Sequence, residues 1–355
     1  MFGSILSKYG FDESEFSVKP FGNGLINHTW KIIYAGREFL LQKINQQVFK
    51  RPLEILDNCR LLESYFKANH SDYLFVAPLP ALNHQNYVED GENNIYRLFP
   101  FVKNSHSFNS VSSPALAFEA AKQFGKFTRL LAPFDPLALH TTLPDFHNLS
   151  LRYLQYQQAL ENAGSLRIEK SILIVSLLNE QKEIVECFEN ARNNNSFRQR
   201  VIHHDAKINN VLFDVGTHKA LCVIDLDTVM TGYFISDVGD MLRTYLSPAS
   251  EEESDTNLIQ IREEYFYEIV KGYLGEMQSE LSPEEIQYFV YAGKFAIYLQ
   301  VIRFITDYLN NDRYYQIKYP DQNLVRANNQ AVLLKRYMEK EKRLDDMLEQ
   351  YLNEH

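Results

Sequence analysis

Apolar and polar side chains alternate along much of the first hundred residues. The stretch "EFSVKPF" has this two-residue period and predicts a strand. "HTWKIIYAGREFLLQKIN" predicts two more, joined by a hairpin turn at Ala35–Gly36. The period then changes. In "RPLEILDNCRLLESYFKANH", Leu53, Leu56, Leu62 and Phe66 recur at helical spacing, with Pro52 suited to the first turn. "LFVAPLPAL" and "NIYRLFPFV" read as further strands.

After about residue 104 the helical period dominates. "SPALAFEAAKQFGKFTRLLAPF" predicts a helix opened by Ser113–Pro114. Long helical patterns also cover roughly 148–163, 168–193, 255–279, 283–310 and 322–353, with a small β-containing island at about 199–226. The pattern predicts an α+β chain. A small β-rich N-lobe spans residues 1–103, and a larger, mainly helical C-lobe spans 104–355.

The length of 355 residues suits two such lobes. A formal charge of −10 argues against a generic nucleic-acid footprint, so no nucleic-acid partner is expected. It still allows a small anion held by local lysines, metals and backbone N–H groups. Cys59, Cys187 and Cys222 are far apart and have no metal-ligand spacing, which suits a reducing compartment. The N-terminus is too polar for a signal peptide, and no run approaches the length of a membrane span. The expectation is a cytoplasmic protein without a membrane partner, taken as a monomer by default.

The chemistry concentrates in "HHDAKINNVLFD", from His203 to Asp214. Asp205 is followed five residues on by Asn210, and Asp225 ends an apolar strand pattern in "ALCVIDLDTV". Single Asp and Asn residues usually cap turns. Base, amide and carboxylate in this order match a magnesium-dependent phosphoryl-transfer site: Asp205 takes the acceptor proton, and Asn210 and Asp225 offer Mg²⁺ the oxygen ligands it prefers. The order H-x-D-x4-N is that of the kinase catalytic loop, with His204 where protein kinases carry Arg.

The N-lobe pattern supplies matching parts. Gly22, Asn23 and Gly24 in "FGNGLINHTWKI" suit a turn whose backbone approaches phosphates, although any hairpin needs such glycines. Lys43 ends the third strand, where a kinase-like N-lobe places its phosphate-pairing lysine; Glu54 and Glu63 are both open as its acidic partner. Leu98, Pro100 and Phe101 fit the hinge that would hold the adenine edge of ATP.

Together "HHDAKINNVLFD", "CVIDLDTVMTG", "SDVGDMLR" and "RFITDYLNNDRYYQIKYPDQNLVRANNQ" resemble the aminoglycoside phosphotransferase and choline kinase superfamily. Within it they are most similar to the N-acetylhexosamine 1-kinases. The resemblance runs from the glycine turn to about Gln330. It implies a two-lobed protein-kinase-like fold and ATP-dependent phosphorylation of a sugar at its anomeric hydroxyl, with Mg as cofactor. It further implies Asp205 as base, Asn210 and Asp225 as metal ligands, and Arg303 and Tyr314 as sugar contacts. His147 and Arg152 are weaker candidates for the sugar pocket. Lys207 is placed to neutralise the transferring phosphoryl group, and the role of Asp227 stays open. Asp240 and Arg243 read as a structural clamp. Arg303 has a bland alternative, an ion pair with Asp307 at i, i+4 spacing.

Three other readings remain. The chain could phosphorylate another acceptor, such as an aminoglycoside, choline, homoserine or methylthioribose. It could be a nucleotide-binding pseudokinase, or a scaffold built on its long C-terminal helix.

Overall fold

The structure, a computed structural model, describes residues 2–12, 15–22 and 26–355. The chain folds into two compact units. The first comprises residues 1–106, 134–144 and 212–231; the second comprises 107–133, 145–211 and 232–355. The first unit is therefore assembled from three pieces of chain, unlike the contiguous division at 103/104. The reason is visible in its hydrogen bonds. Asn58 donates to the carbonyls of His140 (2.9 Å) and Val229 (3.2 Å), and accepts from the His140 N–H.

The first unit opens with helix α1 (Phe2–Leu6) and strands β1 (Phe16–Pro20), β2 (His28–Tyr34) and β3 (Arg37–Lys43). Helix α2 (Pro52–Asn69), strands β4 (Val88–Glu89) and β5 (Ile95–Pro100), and the short strand β6 (Ser105–His106) follow. The first five strands form an antiparallel sheet in the order β1-β2-β3-β5-β4. Ala35 and Gly36 close the β2–β3 hairpin with φ of 47° and 72°, the left-handed pair that matches strand twist. Side chains alternate across the sheet. Ile32, Phe39, Leu41, Tyr96 and Leu98 face Ile5 and Leu6 of α1 in a closed apolar core.

One expectation fails here and a second holds in all but one position. "LFVAPLPAL" is not a strand, because Pro78 and Pro80 lack the N–H groups a ladder needs; the segment touches the sheet through one bond, Leu79 N–H to the Leu98 carbonyl at 2.7 Å. On α2, Leu56, Leu62 and Phe66 are buried as the helical period implies, joined by Ile55 and Cys59, whereas Leu53 is exposed.

The second unit contains helices α3 (Pro114–Leu130), α4 (Leu149–Asn162), α5 (Ser165–Glu180) and α6 (Glu183–Asn193), then strand β7 (Arg200–Ile202). Strands β8 (Val211–Asp214), β9 (Ala220–Val223) and β10 (Met230–Gly232) come next in the chain; β8 and β9 join β6 in a small sheet. Helices α7 (Ile235–Tyr245), α8 (Glu263–Met277), α9 (Pro283–Gln287), α10 (Phe289–Leu309) and α11 (Gln322–Glu354) complete the second unit. The pattern at 168–193 resolves into two helices, and so does that at 283–310. Ser113 caps α3 by accepting from the Leu116 N–H, with Pro114 in the first turn.

Helix α10 corrects the sequence reading in another way. By length and composition its 21 residues could cross a membrane, yet 83% of its most apolar window is buried in the protein. It packs against α4, α7 and α11 and is the central helix of the second unit.

Candidate functional site

In the second unit the chain leaves β7 through His203 and His204, and His204 takes a left-handed φ of 65°. That conformation is uncommon for a non-glycine residue and is held from below. The carboxylate of Asp237 on α7 accepts the backbone N–H groups of His203 (3.0 Å) and His204 (2.7 Å). Tyr245, on the same helix, donates its hydroxyl to the Ala206 carbonyl at 2.8 Å. Burial pushes the Asp237 carboxyl up to about 6. Gly232 lets the loop close: a Cβ there would stand 2.5 Å from the His204 ring.

Asp205 emerges from this brace with its side chain 28% exposed. Lys207 Nζ lies 2.8 Å from its Oδ1, and Asn210 Nδ2 lies 2.8 Å from its Oδ2. Burial pushes the Asp205 carboxyl up, but the Lys207 ammonium, helped by His203 and Asn210, outweighs it and holds the group below its usual value. The Asp205 carboxylate in turn raises the pKa of Lys207. Asn210 also gives its amide N–H to the Asp205 carbonyl at 2.9 Å. Its donors are thus spent on Asp205, which leaves the amide oxygen for a hard cation.

Arg303 and Tyr314 line one pocket of the second unit, together with Arg152, Thr306, Asp307 and Tyr315. The alternative for Arg303 fails: no ion pair joins it to Asp307. That carboxylate instead accepts the N–H groups of Tyr314 (2.8 Å) and Tyr315 (2.9 Å) and the amide of Asn323 (2.9 Å). The Arg303 guanidinium stacks over Phe146 (5.2 Å) and Tyr315 (5.7 Å). Burial lowers the Arg152 pKa, and Arg303 adds to this. Arg152 Nε, Thr306 Oγ1 and the Tyr315 hydroxyl are buried without a hydrogen-bond partner among the described residues. Tyr314 is 70% exposed. A line of rings connects this pocket to the loop: Phe146 stacks on His147, whose ring meets His204 edge-on at 5.4 Å. Asp240 and Arg243 pair at 2.8 Å, with Glu251 on the other side of the guanidinium.

In the first unit, Asp225 is exposed just beyond β9 and adopts φ 59°, ψ 60°. Aspartate tolerates this left-handed region better than most residues. Asp227 is buried. Its carboxylate meets Arg97 at 2.6 Å and the Asn27 amide at 2.8 Å, and its carbonyl accepts the Thr142 hydroxyl at 2.7 Å.

Strand parity sets the placement of Lys43. Lys43 shares a face with Phe39 and Leu41, and its ammonium lies 5.8 Å from the Tyr96 ring centroid. Neither expected partner reaches it, since Glu54 pairs with Arg51 (3.2 Å) and Glu63 with Lys67 (2.6 Å). The opposite face presents Gln42 and Arg97, which sequence reasoning misses. Of the expected hinge residues, Leu98 is buried in the core and its carbonyl accepts from Leu79. Pro100 ends β5, and Phe101 packs edge-on to Phe21 at 5.8 Å. Gly22 has φ 74°, in the left-handed region that favours glycine. Asn23 and Gly24 lie outside the described residues.

The fold is shared with several solved kinases. One is a microcompartment-associated aminopropanol kinase, 15% identical with a TM-score of 0.63, covering 95% of this chain and 96% of that one. An aminoglycoside phosphotransferase from Alicyclobacillus acidocaldarius is 14% identical with a TM-score of 0.59, covering 98% and 96%. An ethanolamine kinase from Plasmodium vivax is 13% identical with a TM-score of 0.58, covering 92% and 85%. The model of the phosphotransferase enzyme family matches residues 17–269, which include the sheet, the Asp205 loop and the Asp225 turn. The chain belongs to this phosphotransferase enzyme family and has the kinase-like fold of these solved structures.

Proposed function

We propose that this phosphotransferase is an ATP-dependent sugar 1-kinase acting on an N-acetylhexosamine or a related sugar. The observation that carries the phosphoryl-transfer half is the arrangement at Asp205: a partly exposed carboxylate, kept ionised by Lys207 and fixed by Asn210. Asp205 accepts a hydrogen bond from the anomeric hydroxyl and orients its oxygen for in-line attack. As that oxygen bonds to the γ-phosphorus, the bond to the bridging oxygen of ADP breaks and the proton passes to Asp205. Lys207 steadies the base and balances charge on the transferring group. Asn210, through its amide oxygen, and Asp225 are the proposed holders of Mg²⁺, which when bound neutralises phosphate charge. Positioning and charge stabilisation supply most of the acceleration.

The acceptor half rests on the Arg303 pocket. Two guanidiniums, Arg152 and Arg303, line it without a carboxylate partner among the described residues. Unpaired buried donors and hydroxyls beside them ask for a ligand rich in hydrogen-bonding oxygens. A sugar hydroxyl or acetamido oxygen meets that demand. An ammonium group would face two like charges, so an amino-alcohol or aminoglycoside acceptor, as the names of the similar structures would suggest, is the second reading. A cytoplasmic, ATP- and Mg-using monomer completes the proposal.

The test is an acceptor panel of N-acetylhexosamines, hexoses, aminoglycosides, choline and amino-alcohols with MgATP, with the phosphorylated position read by ³¹P NMR. Anomeric phosphate on a hexosamine supports the reading. Turnover confined to amines would sink it. In Asp205→Asn, kcat should fall by about 100-fold or more while nucleotide still binds.

A further inference from the structure

The Lys43 ammonium lies 5.8 Å from the Tyr96 ring centroid, and the glutamates of α2 pair with Arg51 and Lys67. Arg97 on β5, by contrast, is the largest fully buried side chain among the described residues. A buried guanidinium persists only where its donors are met. Gln42 Oε1 accepts from Nε at 2.9 Å and from Nη2 at 2.5 Å, and Asp227 Oδ1 lies 2.6 Å from Nη2. The Phe99 ring lies 5.1 Å from the guanidinium carbon. Burial works against the charge, but Asp227 keeps the Arg97 pKa raised.

The other oxygen of Asp227 accepts from Asn27, whose own Oδ1 accepts the Asn45 N–H at 2.9 Å. Asn27 directly precedes β2. Asp227 is therefore buried with one oxygen ion-paired to Arg97 and the other hydrogen-bonded to Asn27, while Asp225, two residues earlier, is exposed on a left-handed turn.

We propose that Arg97 is a positioning residue for metal-nucleotide binding: by clamping Asp227 it fixes the Asp225 turn and, through Asn27, the entry to β2. Its counter-charge comes from Asp227 and not from a glutamate of α2. Asp227 is then an anchor, and Asp225 alone of the two carboxylates is presented to a cation. The proposal rests on the kinase reading above for the role of Asp225.

The experiment measures thermal stabilisation by ADP as Mg²⁺ is titrated, for wild type, Arg97→Met, Arg97→Lys, Asp225→Asn and the double variant Arg97→Met/Asp227→Asn. Arg97→Met is expected to raise the Mg²⁺ concentration for half-maximal stabilisation by about 10- to 100-fold, the usual penalty for losing a supporting contact behind a metal ligand. Stabilisation by metal-free ADP should not change, and Arg97→Lys should recover part of the loss. The double variant removes both buried charges and so folds even if Arg97→Met does not. Wild-type Mg²⁺ dependence in whichever of these two folds overturns the proposal. Wild-type Mg²⁺ dependence in Asp225→Asn would instead overturn the metal role of Asp225 and leave Arg97 a purely structural residue.

Discussion

The Lys207 ammonium sits 2.8 Å from Oδ1 of Asp205, two residues before it in the same loop. Asp205 owes its lowered pKa to that cation, acting against burial. Its carboxylate therefore stays ionised until the pH falls well into the acid range. Lys207→Met removes the cation and raises the Asp205 pKa, so activity should be lost at a higher pH than in wild type. The shift of the acid limb of kcat/KM should be about one unit or more. An unmoved limb would show that Lys207 does not tune the base.

Asp237 gives a pH signature of the opposite kind. Its folded pKa of about 6 lies above the ordinary value of 3.8. Between those values the native carboxyl holds a proton that the unfolded chain has released, so this group's contribution to stability declines as pH rises through the window. Asp237→Asn removes the titration. The stability advantage of wild type over the variant should shrink between pH 4 and pH 7, by at most about 3 kcal/mol. Urea denaturation at several pH values checks this, and a pH-independent difference would contradict it.

Much of this site is legible in the sequence, for definite reasons. Asp205 and Asn210 stand out because their spacing belongs to one short loop, and the Ala35–Gly36 turn because its residues favour left-handed backbone. Parity with the apolar Phe39 and Leu41 already puts Lys43 on the core face. Arg97 hides inside the apolar run "IYRLFPF". A lone charge in a buried strand is itself a signal that a counter-ion exists. The identity of that counter-ion is not readable, because Asp227 comes from a distant part of the chain and only the fold brings it close.

Gly232 should tolerate no side chain. An alanine Cβ would meet the His204 ring at 2.5 Å and push on the loop that Asp237 braces. Gly232→Ala is expected to cost about 1–3 kcal/mol in overpacking. It should also lower kcat at temperatures where the protein remains folded. Full activity with unchanged stability would mean that the loop can relax around the methyl group.

Arg200 and Glu285 form a buried pair, with Nη2 at 2.9 Å from Oε2, and Glu285 also accepts the N–H groups of Arg198 and Ser282. Glu285→Gln leaves the guanidinium without a counter-charge and should destabilise the protein by about 3–5 kcal/mol. Arg200→Met/Glu285→Gln should cost less than the sum of the two single changes. Chemical denaturation of the four proteins tests the coupling; additive costs would refute it.

The three-piece make-up of the first unit bears on how the chain is born. Asn27 must wait for a partner 200 residues downstream, and Asn58 for one 171 residues downstream. At ribosomal speeds of about 5–20 residues per second, that delay is roughly 10–40 s. Once Arg97 has been made, the nascent β-sheet holds for the rest of that time an arginine whose counter-charge is still missing. The first unit therefore cannot complete its contacts, the Arg97–Asp227 pair among them, until the Asp227 segment has emerged.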